Sequence, residues 1–344
     1  MKLTKMFRVS ATVLGCLLVL ISCRQGEDAA SSPLAPVDVK VVNHLVAVLG
    51  HESRVLELVD PASGEKVKSI RLAQPPNGMA VDGATVYVAE GGARGVVEVV
   101  DLESGELKRS FPAGHTPMSP VLREGKLYVA CRFDSRVLEM DAAAGTVLNS
   151  WNVPREPVVL AVSPDGRKIW AAGHLPAGAA DGDFTAAALT LVEDGKAVHF
   201  PLSNGTQGVR GMAISPDGRY LAVAHVLSRY QAPTTQLDRG WMNTNAVTVI
   251  NTDEPDKPHP VLLDDPDAGA ANPWGVSFSG DGGKLFVTHA GTHELSVIDF
   301  PALLERMKRE DRSNEPVSER LGFLHGLRAR IALPLNGPRS VASD

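Results

Sequence analysis

Pairs of short apolar runs joined by a tight turn recur along this chain, and the clearest pair spans Gly208 to His225. Its turn reads Ser-Pro-Asp-Gly: Pro216 presets φ, Asp217 can bond to its own backbone, and Gly218 tolerates a positive φ. The flanking runs are therefore predicted to be the strands of a hairpin. The same turn stands at 163–166, with variants at 279–282 and 82–83. This pattern predicts a repeat protein.

Each repeat contains four predicted strands. The third strand ends at Asp60, Asp101 and Asp141, which are 41 and 40 residues apart. Four short strands in a period of about 40 residues are typical of a β-propeller blade. A β-sandwich is the alternative, but a sandwich needs no fixed internal period. The predicted fold is therefore an all-β propeller of four-stranded blades, at residues 37–73, 77–113, 118–154, 158–203, 210–263 and 274–335.

The end of the chain repeats the opening of the earlier blades, since Pro338-Arg-Ser-Val-Ala-Ser-Asp matches the run that begins at Pro157. The prediction is thus six complete blades plus the first strand of a seventh. An unfinished blade would expose unpaired backbone groups and apolar faces. We therefore expect the propeller domain, residues 37–344, to be incomplete at its C-terminus. One helix is predicted, at Pro301–Glu310, inside a loop insertion.

The first residues have the order of an export signal, with Lys2, Lys5 and Arg8 before an apolar run from Ala11 to Ile21. The run ends in Leu-Ile-Ser-Cys at positions 20–23, which resembles the bacterial lipobox. The predicted arrangement is a lipoprotein signal peptide at 1–22, then a lipidated Cys23 and a flexible tether at 23–36. An ordinary secretory signal is the alternative. The expected location is the bacterial cell envelope, lipid-anchored and exposed to the periplasm or the cell surface.

Charge and cysteine content exclude some classes of partner. The chain has 34 Lys and Arg against 40 Asp and Glu, and the signal peptide removes only cationic residues, so nucleic acid is not an expected partner. Cys16 leaves with the signal and Cys23 takes the lipid, so Cys131 has no partner for an internal disulfide. Because Cys131 ends an apolar strand, it is predicted to be a small buried hydrophobe rather than a nucleophile.

The repeat motifs resemble a known family. Val-Ser-Pro-Asp-Gly-Arg at 162–167, Leu-Tyr-Val-Ala at 127–130 and Leu-Ser-Val-Ile-Asp at 295–299 are similar to the YVTN-type propeller repeat of bacterial envelope proteins. The segment Gln231 to Val249 is similar to a loop in propellers joined to cytochrome c peroxidase-like domains. The chain contains no Cys-x-x-Cys-His haem attachment motif. The resemblance therefore implies that any haem or transition metal belongs to a partner domain, and no cofactor is predicted for this chain.

Loop lengths indicate the working face, because the loops after the second and fourth strands of each blade emerge on the same side. The longest are Leu175–Phe184 and Val226–Asn245, and long loops on a rigid scaffold commonly carry binding residues. The alternative is that Trp241 only anchors its loop to the propeller. The candidate binding residues of the second loop are Arg229, Tyr230, Gln236, Asp238, Arg239, Trp241 and Asn243.

Three further candidates begin inner strands: Arg210, Trp274 and Arg339. They are predicted either to ring the mouth of the central channel or to pack between blades. Four histidines stand at or just beyond the ends of second strands and are candidate ligands of a transition metal, and His225 among them is also a candidate binding residue. Their blades lie on different sides of the ring, and no local His pair supplies two ligands. These histidines are His51, His174, His225 and His289.

No catalytic motif is evident in the sequence. The leading interpretation is a binding or scaffold module that recognises a protein or small ligand through its loop-rich face. The alternative is the propeller half of a haem-dependent, cytochrome c peroxidase-like redox system whose catalytic domain lies elsewhere.

Replacing Cys23 with Ala is expected to release the protein from membranes, because the lipid is attached through that side chain. Fractionation of cells that express the two forms measures the effect, and mass spectrometry of the mature N-terminus is its control. Membrane-bound protein with a free N-terminus at another residue would contradict the lipobox interpretation.

Overall fold

The structure is a computed structural model that describes residues 34–179, 181–230, 242–310 and 319–343. These residues form six antiparallel sheets of four strands, arranged in a ring as a β-propeller. Successive inner strands contact each other from the first blade to the sixth. The predicted fold class is thus confirmed, with blade limits within a few residues of those expected from the repeats.

The strands of the first three blades are β1 (Pro36–Val42), β2 (Leu45–Gly50), β3 (Val55–Val59), β4 (Lys66–Arg71), β5 (Pro76–Asp82), β6 (Thr85–Glu90), β7 (Val96–Asp101), β8 (Leu107–Pro112), β9 (Pro117–Arg123), β10 (Lys126–Cys131), β11 (Arg136–Asp141) and β12 (Val147–Asn152). The strands of the last three are β13 (Pro157–Val162), β14 (Ile169–Gly173), β15 (Ala188–Glu193), β16 (Lys196–Pro201), β17 (Thr206–Ile214), β18 (Tyr220–Ser228), β19 (Asn243–Asn251), β20 (His259–Leu262), β21 (Pro273–Phe278), β22 (Lys284–His289), β23 (Glu294–Asp299) and β24 (Arg328–Ala332). Helix α1 (Phe300–Glu310) lies between β23 and β24, which confirms the predicted helical insertion.

The repeated turn is stabilised in the same way wherever Ser and Asp occur together. In the turn between β17 and β18, the Ser215 hydroxyl donates to the Asp217 carboxylate (2.5 Å) and accepts from the Tyr220 amide (3.0 Å). Gly218 takes the positive φ of 74° that the sequence predicted for it. The corresponding pairs are Ser163 with Asp165 and Ser279 with Asp281. Their serine hydroxyls hold the pKa of both aspartates below the usual value.

Second strands form the core because they are covered on both faces. In β10, every residue from Leu127 to Cys131 is buried, with alternate side chains packed against blade two and blade four. This explains why second strands read as unbroken apolar runs rather than alternating ones. Fourth strands form the outer rim and expose charged side chains and some aliphatic ones, such as Val67 and Val198.

The last residues of the chain fill the place between blade six and blade one. The Ser340 hydroxyl accepts a hydrogen bond from the Val39 amide (3.2 Å), as the Ser119 hydroxyl accepts one from the Leu160 amide (3.0 Å) between blades three and four. Residues 338–343 therefore stand where the inner strand of another blade would stand, in agreement with the sequence.

We call residues 338–343 the closing segment. Its side chains alternate between the two neighbouring blades. Val341 packs against Phe286 and Leu295 of blade six, whereas Ala342 packs in a cluster with Val39, Val46 and Val48 of blade one. This alternation is the period of two that a strand requires. The closing segment thus completes the inner layer of the ring.

Several predictions concern residues outside the described part of the chain. The signal peptide and most of the tether lie in residues 1–33, so they stay predictions, as does the expectation that the domain is incomplete at its C-terminus. Within the described ranges, no helix is both long and apolar enough to cross a membrane.

Changing Val341 to Asn is expected to lower the free energy of unfolding by about 1–3 kcal/mol, because a polar amide would replace a buried side chain between blades six and one. Chemical denaturation measures this change. Val198 is the matched control, since it is half exposed on β16 and its change to Asn should have little effect. Equal effects of the two substitutions would show that the closing segment does not seal the ring.

Candidate functional site

The central channel opens on the face that carries the loops after second and fourth strands. Its cavity has a volume of about 530 Å³ and is lined by the inner strands of all six blades and by the closing segment. The second residue of most inner strands lies at this mouth, usually directly after a proline that fixes the start of the strand. These mouth residues are Val37, Asn77, Met118, Val158, Arg210, Trp274 and Arg339.

One side of the mouth is a stack of two arginines on a tryptophan. The Arg210 guanidinium carbon is 4.1 Å from the centroid of the Trp274 ring, and that of Arg339 is 4.9 Å from it. The three side chains come from β17, from β21 and from the closing segment, which are neighbours in the ring. Both distances lie within the cation–π range. The indole therefore holds two cationic groups at the channel mouth.

Neither arginine of the stack has a carboxylate partner among the described residues. Both residues are exposed to solvent over part of their surface, whereas nearby Arg132 forms an ion pair with Glu156 at 2.9 Å. Partial burial lowers the pKa of Arg210, and the charges of Arg132 and Arg339 lower it further. The structure thus places Arg210, Trp274 and Arg339 at the channel mouth, the first of the two positions that the sequence allowed. Their role in binding stays a prediction.

The four candidate histidines are not brought together. His225 and His289 are fully buried, and each accepts a hydrogen bond at Nε2 from a hydroxyl of its own blade, Thr248 (2.6 Å) or Ser296 (2.7 Å). Their Nδ1 atoms lie close to the backbone carbonyls of Val226 and Ala270. Burial lowers the pKa of both imidazoles to about 4. These rings are neutral and serve the packing of blades five and six.

The other two histidines join one blade to the next. His51 Nδ1 donates to the carbonyl of Pro76 (2.7 Å), and His174 Nδ1 donates to that of Val209 (2.8 Å). Both carbonyls belong to the inner strand of the following blade, β5 for Pro76 and β17 for Val209. Within the described part of the chain, no three His, Cys, Asp or Glu side chains are grouped so that they could hold a metal ion.

A buried pair of carboxyl groups, which sequence reasoning missed, occupies the corresponding position in blade two. Glu90 ends β6 and Glu98 lies on β7, as His289 ends β22 and Ser296 lies on β23. Oε2 of Glu90 accepts from the Gln74 amide (2.9 Å), Oε1 receives no hydrogen bond from a described residue, and the Glu90 and Glu98 carboxyl groups are close enough to share a proton. Burial, with the hydrogen bond to Glu98, raises the pKa of Glu90 to about 8. Glu90 is therefore largely protonated at neutral pH. The signal in the sequence that could have revealed this pair is Glu90 itself, a charged residue at the end of an otherwise apolar second strand.

The long loops of blades four and five are tied together by Asn204. Its side-chain oxygen accepts from the Tyr230 hydroxyl (3.0 Å) and from the Thr185 amide (2.8 Å). Arg229 donates its amide to the carbonyl of Met242 (2.7 Å), and exposed Asn243 begins β19. The remaining candidates of this loop lie outside the described residues: Gln236, Asp238, Arg239 and Trp241.

The chain is similar to a known protein in sequence and in fold. No family model matches the chain, so the resemblance to the YVTN-type repeat rests on its motifs alone. Hydrazine synthase subunit beta of Kuenenia stuttgartiensis is 27% identical over 191 residues, which cover 54% of this chain and 47% of that protein. The match thus spans about half the length of the curated relative.

A solved structure supports the fold over a longer range. Hydrazine synthase of Kuenenia stuttgartiensis is similar with a TM-score of 0.81, over 93% of this chain and 92% of that one, at 21% identity. At this level of identity the likeness shows the propeller fold.

Replacing Glu90 with Gln is expected to raise stability at alkaline pH. The native pKa of Glu90 lies near 8, above that of an unfolded glutamate, so the native protein loses stability as the pH rises from about 4.5 to about 8. Glutamine stays neutral and can still donate to Glu98, so the melting temperature of the variant should exceed that of the native protein most at pH 9 and least at pH 5.

Glu103, exposed in the same blade, provides the matched control, and its change to Gln should leave the pH dependence unaltered. An equal stability change for Glu90→Gln at pH 5 and pH 9 would show that the buried pair does not share a proton.

Proposed function

We propose that this chain is the propeller subunit of a multi-subunit redox enzyme whose chemistry takes place on another chain. The sequence match to hydrazine synthase subunit beta carries this proposal. The motif resemblance to propellers joined to cytochrome c peroxidase-like domains points in the same direction. In this function the propeller binds its partner through the loop-rich face and supplies a rigid surface.

Exposed apolar side chains support the choice of that face. Among the described residues, six of the exposed large apolar side chains are aliphatic and lie on the outer strands: Val67, Leu107, Val147, Leu148, Val198 and Ile331. On the loop face they are Phe133, Phe184, Tyr230 and Met242. Aromatic residues and Met are the types that are enriched in the centres of protein interfaces.

Three of these residues form what we call the aromatic patch: Phe184, Tyr230 and Met242. The hydrogen bonds of Asn204 join the loops that carry the first two, and the backbone bond from Arg229 joins the last two. A surface held by such bonds loses little conformational entropy when a partner binds. The patch is therefore a prearranged contact surface.

The predicted lipid anchor agrees with this role. If Cys23 carries lipid, residues 24–36 allow the first strand to lie at most about 45 Å from the membrane surface. A tether of this length confines the propeller, and the enzyme bound to it, to a layer next to the membrane. This part of the proposal depends on residues outside the described ranges and is tested through Cys23.

The aromatic patch is tested by isolating the tagged full-length chain from its native membranes after mild cross-linking. We expect a stoichiometric complex with an enzyme subunit. The triple change Phe184→Ala, Tyr230→Ala and Met242→Ala should reduce its recovery at least tenfold, because truncated hot-spot residues cost about 2 kcal/mol each. The control replaces Val67, Leu107 and Val198 with Ala, since these are similarly exposed on the outer strands.

A chain that stays monomeric after cross-linking would contradict the subunit proposal. A complex that survives the patch substitutions, with normal folding by circular dichroism, would show that the partner binds another face.

A further inference from the structure

The mouth of the central channel has two chemically different sides. Blades one, three and four contribute apolar residues, Val37, Met118 and Val158. The other mouth residues are Asn77 of blade two and the Arg210–Trp274–Arg339 stack, which lies between Val158 and Val37 in the ring. A molecule that fits this mouth must therefore combine an anionic group with an apolar part.

The arginines of the stack are available to a ligand. Each guanidinium contacts the Trp274 ring, and neither forms an ion pair or a hydrogen bond with another described residue. Two cations held close together raise each other's electrostatic free energy, and a shared anion relieves this repulsion. Stacking on indole also orients the guanidinium edges, which carry the hydrogen-bond donors.

The charges that line the cavity favour an anion with a single charge. Arg210, Arg339 and Lys40 are cationic, whereas Asp38 and Glu52 are acidic. Lys40 is already 3.5 Å from Asp38, so the cavity has an excess of one positive charge. A dianion such as phosphate would be repelled by the two carboxylates, and it has no apolar part to place against Met118 and Val158.

We propose that the channel mouth is a binding site for a monocarboxylate, held by Arg210 and Arg339 beside Trp274, with its aliphatic part against Met118 and Val158. Planar guanidinium and carboxylate groups match in a bidentate geometry. The cavity of about 530 Å³ is of the size that small ligands occupy. It accepts a free aliphatic acid or the terminal residue of a peptide with its carboxylate.

This site is independent of the proposed function, because it uses the cavity and not the aromatic patch. A monocarboxylate can bind whether or not the propeller belongs to a larger enzyme, and the two experiments fail separately.

Isothermal titration calorimetry of the full-length protein tests the site with butyrate, butyramide and inorganic phosphate at constant ionic strength. We expect saturable binding of butyrate at millimolar concentrations and none of butyramide, which has the same shape without the charge. A pentapeptide that ends in Val, with a free or an amidated C-terminus, distinguishes the source of the carboxylate. Tighter binding of the free peptide than of butyrate would assign the site to a chain terminus.

Substitutions then locate the site. Arg210→Gln and Arg339→Gln should each weaken binding about tenfold or more, since hydrogen bonds between charged groups are removed. The control is Arg219→Gln, because Arg219 lies over the Tyr220 ring and does not line this cavity. Thermal unfolding confirms that each variant is folded. The Arg210→Lys variant keeps the positive charge but cannot form the bidentate pair, so it separates the contribution of charge from that of geometry.

Three results would overturn the proposal. The first is that neither butyrate nor the free peptide binds. The second is that phosphate binds as tightly as butyrate, which would make the site a general anion site. The third is that Arg210→Gln and Arg339→Gln, both folded, bind as the native protein does.

Discussion

Face-to-face packing of neighbouring blades is the interaction on which this structure depends. Each second strand is buried on both sides, so no blade can shield its apolar surface alone. Burial of this kind contributes about 25 cal/mol per Å² of apolar surface, and the facing sides of blades one and six gain it only when the ring is closed. The closing segment at 338–343 therefore matters more than its length suggests, because its alternating side chains cover blade six on one side and blade one on the other.

Buried polar residues within this apolar layer follow one structural rule. The second strand of blade six ends at a neutral histidine that pairs with a hydroxyl of the third strand, and blade five has the same pair inside its longer second strand. The second strand of blade two ends at Glu90, which pairs with Glu98. Blade three places Cys131 there, where its thiol donates to the carbonyl of Ala113 (3.0 Å) and burial raises its pKa to about 12. These side chains are buried and, apart from Oε1 of Glu90, hydrogen-bonded inside the protein, so their chemistry is not available to a ligand.

Binding chemistry is consequently confined to the strand ends and loops on one face. The channel mouth and the aromatic patch both lie there, but they suit different ligands. The mouth is a small cavity in which Arg210 and Arg339 have no carboxylate partner among the described residues, whereas the patch is a set of exposed aromatic and apolar side chains. A rigid ring holds both sites in place, and the similarity to hydrazine synthase at 21% identity shows that this framework tolerates extensive change in sequence.

The sequence by itself determined the architecture, because strand and turn formation depend on near neighbours. The Ser-Pro-Asp-Gly turns, the period of about 40 residues and the copied opening at Pro338 were sufficient to predict six blades, their limits and the helix after Asp299. Cys131 was also assigned correctly as a buried thiol, since its apolar strand defines its surroundings. Only the tertiary structure decided which side chains of successive blades lie together. Arg210, Trp274 and Arg339 are 129 residues apart from first to last, and their stack exists because successive inner strands lie side by side around the channel. The raised pKa of Glu90 likewise depends on burial between blades, which no local pattern specifies.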